Sequence, residues 1–293
     1  MTISDALRDT IAMLADTSDS PRSDACELMR HCCGLDQAAL IARGDQLLDP
    51  IQQSRLLASS TRRAQGEPVA YITGQRGFWT LELEVDPHTL IPRPDTETLV
   101  EHSLQHIPQD RPSRYLDLGT GSGAIALAVA SERPFCEVVA TDIDPAALRV
   151  AQRNAERLGL AVSFRPGSWF TALGAGPDGE QDKFDIIASN PPYIASDDHH
   201  LAVGDLRFEP QHALVSGPDG LDALRHIVIE SRSWLRADGW LLVEHGYDQG
   251  PATRALFANA GYQGVRSESD LGGNARVTTG CVAAPTEQPA TPQ

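Results

Sequence analysis

Residues 189–194 read SNPPYI and close the apolar run FDIIAS. Neither Pro191 nor Pro192 has a backbone N–H to give to a ladder, so a strand stops at Asn190. The same prolines fix φ, which holds the Pro191 carbonyl in place with no local donor. Asn190 sets a side-chain carbonyl beside it. Two rigid acceptors at a strand end suit a planar –NH2 group with two hydrogens, and Tyr193 can stack on its flat face. The nitrogen of an amide or aromatic amine is a poor nucleophile because its lone pair is delocalised. Gripping both hydrogens and turning the nitrogen toward tetrahedral geometry frees that pair. With a methyl sulfonium in line, transfer proceeds by proximity and orientation, and the positive charge growing on nitrogen meets dipoles already in place. No metal is called for and no general base is assigned.

A second signal is LDLGTGSGAIAL, residues 116–127. Glycines at 119, 121 and 123 let the chain turn sharply and let a ligand lie against bare backbone. Free N–H groups at the following helix start favour polar or anionic groups. About twenty residues on, a second strand ends at Asp142, where a carboxylate can take both hydroxyls of a ribose. Asp144 fits the cap of the next helix and leaves Asp142 for a ligand. Trp169, in GSWF, follows the third strand, where an adenine would lie. Gly119, Gly121 and Ala124 also satisfy the dinucleotide fingerprint, so a nicotinamide enzyme is a rival. Asp117 tilts against it, since a carboxylate facing the ligand suits a cationic amino group better than a pyrophosphate.

Several elements must position these residues. From about residue 93, YLDLG (115–119), EVVATD (137–142), AVSFRPG, KFDIIASN and GWLLVEHG (239–246) read as strands, with helices between them. Asp144, Pro145 and Gly159 mark one helix as cap, first turn and stop. Further helices are expected over about 219–237 and 248–260, and a closing antiparallel pair from GYQGVRSESD and ARVTTGCVA. Repeated βα units argue for an open, doubly wound, mostly parallel α/β sheet. Ligands gather at the C-terminal strand ends near the topological switch, so NPPY is expected beside the glycine loop.

Upstream, residues 1–75 read as a small bundle of short amphipathic helices, with Ile3, Leu7, Ile11 and Leu14 at helical spacing. Ser20 before Pro21 and Asp49 before Pro50 are expected caps. Gly34 and the run Gly66, Glu67, Pro68 are expected stops. In residues 76–92, Leu81, Leu83 and Val85 alternate with acids, which reads as a half-exposed strand in a connecting β-hairpin. The assignment is therefore a helical domain over 1–75, a hairpin linker over 76–92, the α/β domain over 93–282 and a disordered Pro- and Thr-rich tail over 283–293.

The formal net charge is −16 with a pI near 4.9. Such a body is repelled by phosphate backbones, and Arg62–Arg63 is the best candidate for a local basic patch. A basic protein partner or a cationic small molecule fits better. The five cysteines show no zinc spacing and read as reduced thiols. There is no signal pattern at the N-terminus and no run of membrane-spanning length, so a cytoplasmic protein is expected. His199 and His200 suggest a metal pair, but a solvated loop is the expected reading. Arg93, Asp95 and Glu97 are read as ordering the pocket's lid, and Glu244 and His245 as ending a core strand near the site, the histidine structural.

Together LDLGTGSGAIALA, TDID and SNPPYI resemble class I S-adenosylmethionine-dependent methyltransferases that act on planar amino groups. IPRPDTE (91–97), RFEP (207–210), EHG (244–246) and the helical N-terminus narrow the resemblance to the PrmC/HemK family of peptide chain release factor glutamine methyltransferases. That resemblance implies a seven-stranded methyltransferase sheet and methylation of the glutamine amide nitrogen (N5) in the GGQ loop of release factors, modulating translation termination. It implies S-adenosylmethionine held by Gly119, Thr120, Gly121, Ser122, Gly123, Asp142, Trp169 and Asn190. The substrate glutamine would meet Asn190, Pro191, Pro192 and Tyr193, with Asn190, Pro191 and Tyr193 catalytic. The N-terminal domain would contact the release factor. Ser168 departs from the family, where an acidic residue is common. A monomer with no direct nucleic-acid partner is expected. Two rivals stay open at this point: an N6-adenine DNA methyltransferase, which shares the Asn-Pro-Pro-Tyr type of motif, and a nucleotide-dependent oxidoreductase or a degenerate binding module of the same fold.

Overall fold

The computed structural model describes residues 1–283, so residues 284–293, most of the tail expected to be disordered, lie outside the described residues. The chain divides into two compact units, one of residues 1–75 with 199–208 and one of 76–198 with 209 onward.

The first unit contains α1 (Ile3–Leu14), α2 (Pro21–Cys33), α3 (Gln37–Ala42), α4 (Pro50–Ala64) and α5 (Val69–Thr73). Its helix starts largely follow the expected chemistry. Asp49 forms a capping box with Gln52 ahead of Pro50, a device worth about 1 kcal/mol. Gly34 closes α2 in the left-handed region at φ 67°. Ser20 departs from expectation: it stands at the start of α2, but its side chain makes no capping bond. Leu14, Leu28, Met29 and Leu56 are buried in one apolar cluster. Arg63 is buried too, with Nε donating to Asp24 at 2.7 Å and Nη1 to Asp205 at 3.0 Å. Arg62 pairs with Glu67. The two arginines are thus committed to internal ion pairs and do not form the basic patch considered above. The Asp205 contact also explains why 199–208 belongs with the helices although its sequence neighbours belong to the sheet.

The second unit opens with a hairpin of β1 (Gln75–Phe78) and β2 (Leu81–Glu84). Phe78 and Leu83 of the hairpin lie in the core of this unit. Asn154 fastens it further: Oδ1 accepts from the Glu84 amide at 2.7 Å, and Nδ2 donates to the Glu84 and Ser122 carbonyls, both at 3.0 Å. The hairpin is therefore built into the sheet unit. A 3-10 turn at Pro94–Thr96 leads into α6 (Glu97–His106). Then follow β3 (Ser113–Leu118), α7 (Ala124–Glu132), β4 (Cys136–Asp142), α8 (Pro145–Leu158), β5 (Ser163–Pro166), β6 (Phe184–Ser189), α9 (Asp222–Trp234), β7 (Leu235–Glu244), α10 (Gly250–Asn259), β8 (Gln263–Ser269) and β9 (Ala275–Cys281).

The sheet has seven strands in the order β5-β4-β3-β6-β7-β9-β8, parallel through β7 and antiparallel at the β7–β9–β8 end. This is the expected doubly wound architecture, closing antiparallel pair included. The helix expected to run to about 237 ends at Trp234, and β7 starts at once. α7 packs on β3 and β4 with α6 beside it on the same sheet, and Ala124 to Val129 are all buried. Strand order reverses between β3 and β6, which opens a crevice at their C-terminal ends.

Candidate active site

β3 and β6 lie side by side with Leu118 opposite Ser189, and Ser189 Oγ donates to the Leu118 carbonyl at 2.7 Å across 71 residues of sequence. The glycine loop and the NPPY loop leave this pair of strands together, as expected. They border a cleft of about 780 Å³, its open mouth included.

The glycine loop is shaped by backbone. Gly119, Gly121 and Gly123 have φ of 74°, 56° and 87°, a region that side chains disfavour. The amides of Gly119 and Thr120 both donate to the Thr141 carbonyl at 2.9 Å, which curls the turn over the end of β4. The glycines do different work. A Cβ on Gly123 would come within 2.9 Å of Leu127 Cδ1 and 3.2 Å of Ala151 Cβ, so this glycine permits close helix packing. A Cβ on Gly121 would meet nothing within 4 Å and would stand in the cleft. Residues between them point the other way. Thr120 and Ser122 are buried and do not line the cleft. The Thr120 hydroxyl donates to Asp117 Oδ2 at 2.6 Å. Asp117 is fully buried, not facing a ligand, and burial pushes its carboxyl up to about 7. Its work is to brace the loop from behind.

Asp142 does line the cleft. Oδ2 accepts from the Gly121 amide at 2.8 Å and Oδ1 from the Asp144 amide at 2.9 Å. Each carboxylate oxygen keeps a second acceptor position, which leaves capacity for two ligand hydroxyls. Asp144 caps α8 through the Ala146 amide at 2.7 Å, the division of labour read from sequence. Trp169 lines the cleft at φ 47°, and its ring lies 3.4 Å from where a Gly119 Cβ would be. His88, Leu90, Ile143, Ala147, His212 and Ala213 also line the cleft and were not singled out from sequence. Ile143 carried a signal, an exposed isoleucine directly after the acidic strand end. Ala147 stands in the first turn of α8, and His88, Leu90, His212 and Ala213 come from segments that only the fold brings near.

On the β6 side, Asn190 and Pro192 line the cleft, Pro191 is buried, and Tyr193 turns inward. Asn190 Nδ2 donates to Thr96 Oγ1 at 3.1 Å, which turns the carbonyl oxygen the other way. Among the described residues no donor is hydrogen-bonded to Asn190 Oδ1 or to the Pro191 carbonyl. The Tyr193 hydroxyl donates to Glu244 Oε1 at 3.3 Å, and its carbonyl accepts from Gln249 Nε2 at 3.0 Å. Burial drives the Tyr193 phenol well above its ordinary range. The next residue, Ile194, bridges to Val215, so the loop is tied at its far end too.

The IPRPDTE segment serves as a set of braces. Arg93 pairs with the buried Glu209 of RFEP, Asp95 with Arg276 at 2.9 Å, and Glu97 accepts from the Trp79 amide at 2.9 Å. Thr96, between the acids singled out from sequence, hydrogen-bonds to the NPPY loop through Asn190. Burial pushes the Glu244 carboxyl up to about 7, against the Thr96 and Tyr193 hydroxyls, which draw it down. His245 is fully buried with Nδ1 2.8 Å from the Gly246 carbonyl and Nε2 2.9 Å from Thr278 Oγ1. A carbonyl only accepts, so Nδ1 carries the proton, and burial lowers the pKa of the ring. His245 is structural. The His199 and His200 rings lie in an exposed turn with centroids 4.0 Å apart and planes tilted by 37°.

Residues 5–74 match the family described as the PrmC N-terminal domain, and residues 96–217 the methyltransferase small domain. The release factor glutamine methyltransferase of Salmonella typhimurium is 50% identical over 275 residues, covering 94% of this chain and 96% of its own. The chain belongs to the release factor glutamine methyltransferase family. A member from Xylella fastidiosa is also 50% identical, over 92% of this chain and 97% of its own. A crystal structure of a methyltransferase from Pyrococcus furiosus superposes with a TM-score of 0.52 at 18% identity, over 78% of this chain and 99% of that one, and shows the shared fold. Membership makes this chain a methyltransferase, and the nicotinamide, binding-module and DNA-methylating readings fall away. The implied methyl donor is S-adenosylmethionine. The cleft fits it on three counts: a glycine at 121 where a side chain would obstruct, spare acceptor capacity on Asp142, and the Trp169 face at the far wall.

Proposed function

We propose that this protein transfers the methyl group of S-adenosylmethionine to the side-chain amide nitrogen of the GGQ glutamine of peptide chain release factors, and so modulates translation termination. The observation that carries the site reading is the Asn190 amide orientation. With Nδ2 committed to Thr96, Oδ1 and the Pro191 carbonyl remain as two acceptors on a loop fixed by two prolines. They bind the two hydrogens of a carboxamide and orient its nitrogen toward the cleft. Tyr193 packs beside the amide plane, and Pro192 closes the contact on the cleft side. S-adenosylmethionine supplies the electrophilic methyl. Gly119, Gly121, Asp142 and Trp169 hold it directly, while Thr120, Ser122 and Gly123 shape the loop that does so. The N–CH3 bond would form as the S–CH3 bond breaks, leaving neutral S-adenosylhomocysteine; the positive charge gained by nitrogen is met by the two carbonyl dipoles, which need no reorganisation, until one N–H proton is lost to solvent.

Residues 1–75 are the release-factor-binding part in this reading, and the enzyme acts as a cytoplasmic monomer on a protein substrate without touching nucleic acid itself. The net charge of −16 favours a partner that carries basic surface for work on the ribosome. Incubation of the full chain with release factor and S-adenosylmethionine, followed by mass spectrometry of peptides, tests it. One methyl on the GGQ glutamine is expected. A methyl elsewhere, or none, contradicts the reading.

A further inference from the structure

Two prolines stiffen the NPPY loop but leave it two free rotations. Proline fixes φ and leaves ψ open, so ψ of Pro191 still sets where the Pro191 carbonyl points, and ψ of Pro192 sets the peptide that follows. Neither proline has an N–H with which to fasten itself. The loop must therefore be held from its two ends. Upstream, Ser189 is tied to Leu118 and Asn190 to Thr96. Downstream, among the described residues, the first main-chain group beyond the prolines to find a partner is the Tyr193 carbonyl, which accepts from Gln249 Nε2 at 3.0 Å.

β6 and β7 run parallel with Ser189 opposite Val243, so the two loops leave the sheet side by side. After β7 the chain turns, with the Gln249 main-chain amide donating to the Gly246 carbonyl at 2.9 Å, and α10 starts at Gly250. The Gln249 side chain folds back over this turn. Its Oε1 accepts from the Gly246 N–H at 2.9 Å while its Nε2 reaches Tyr193. Main-chain groups have a fixed sign: an N–H only donates and a carbonyl only accepts. Turned over, the amide would set its NH2 against the Gly246 N–H and its oxygen against the Tyr193 carbonyl. One orientation is therefore forced, and the side chain is a staple between the two loops. Gly220, at φ 74°, makes room for it: a Cβ there would lie 2.3 Å from the Tyr193 carbonyl oxygen and 2.7 Å from Gln249 Nε2.

The Tyr193 hydroxyl donates to Glu244 Oε1 at 3.3 Å, so the β7 side holds Tyr193 by its ring and by its main chain. Beyond the staple, the Ile194 amide donates to the Leu214 carbonyl and the Ile194 carbonyl accepts from the Ser216 amide, both at 2.9 Å. We propose that Gln249 is a positioning residue for methyl transfer: by fixing the Tyr193 carbonyl it sets the Pro191 carbonyl and the Tyr193 ring about the substrate carboxamide. It stands outside the residues that line the cofactor cleft. The proposal rests on the reading that the NPPY loop grips an amide.

Steady-state kinetics of the full chain with release factor test this, with calorimetric binding of S-adenosylmethionine and thermal unfolding measured in parallel. Gln249→Met removes donor and acceptor at similar volume. It should lower kcat by roughly tenfold, with cofactor affinity and release-factor KM within about threefold. Gln249→Glu keeps the Gly246 bond but sets an oxygen against the Tyr193 carbonyl, and should lower kcat by roughly a hundredfold. A carboxylate at the start of α10 suits the helix dipole, so Gln249→Glu should unfold no earlier than Gln249→Met although it turns over more slowly. A role in stability alone gives the reverse order of rates. The proposal is overturned if either variant turns over within about twofold of the parent, if the loss is matched by weakened cofactor binding, or if the rates follow the thermal midpoints. Asn190→Ala separates the two levels. Inactive Asn190→Ala beside normal turnover in both Gln249 variants sinks the staple alone, whereas active Asn190→Ala sinks the amide grip on which it stands.

Discussion

The two loops that leave β3 and β6 sit on neighbouring strands and border one cleft, but they are made rigid in opposite ways. The β3 loop is held by its own backbone: three glycines at positive φ, two amides on the Thr141 carbonyl and one on Asp142. The β6 loop has two prolines for stiffness and takes its orientation from side chains far away in sequence, Thr96, Glu244 and Gln249. A loop that must present bare backbone to a ligand is best set by conformational permission. A loop that must present one particular polar atom needs outside partners to choose which way that atom faces.

That contrast can be broken from the β3 side first. Gly123→Val places a branched side chain at φ 87° against Leu127 and Ala151. It should destabilise the sheet unit by about 3 kcal/mol, read as a lowered midpoint in denaturant unfolding. Asp142→Asn keeps the shape of the β3 side and removes a charge. Calorimetry should show cofactor affinity down by about tenfold, with the fold intact. A change of less than twofold would remove Asp142 from the binding set.

The smaller effect sharpens the β6 side. Burial raises the Glu244 carboxyl from 4.5 to about 7, so the folded state prefers the neutral acid. Its contribution to stability is full below pH 4.5 and is lost as pH rises through about 7, on the order of 3 kcal/mol at most. Asp117 adds a second loss of the same sign. The thermal midpoint should therefore fall between pH 5 and pH 8 by less in Glu244→Gln than in the parent, measured by calorimetry at matched ionic strength. Parallel curves would show that Glu244 is not the buried acid described here.

The same contrast governs what could be read in the sequence. The positive φ of Gly119, Gly121 and Gly123, the cap at Asp144 and the place of Asp142 at a strand end are set within a short stretch, and these local features are visible in one dimension. The strand series and its closing antiparallel pair were visible for the same reason. Asp117 was misjudged because spacing shows that it ends a strand but not which way its carboxyl turns. Thr96 was passed over in favour of its charged neighbours, since nothing local tells a hydroxyl that meets Asn190 from one that caps a helix. His88 and His212 reach the cleft only through the fold. Arg63 looked like half of a basic patch, and the two aspartates that neutralise it come from α2 and from residue 205.

The central claim is that the Asn190 carbonyl grips the substrate amide. Methyl transfer by Asn190→Ala, followed by mass spectrometry of the release-factor peptide with cofactor binding measured in parallel, tests it most directly. A fall in rate of about a hundredfold or more, with S-adenosylmethionine affinity changed by less than about threefold, is the predicted result. Transfer at the parent rate would contradict the account.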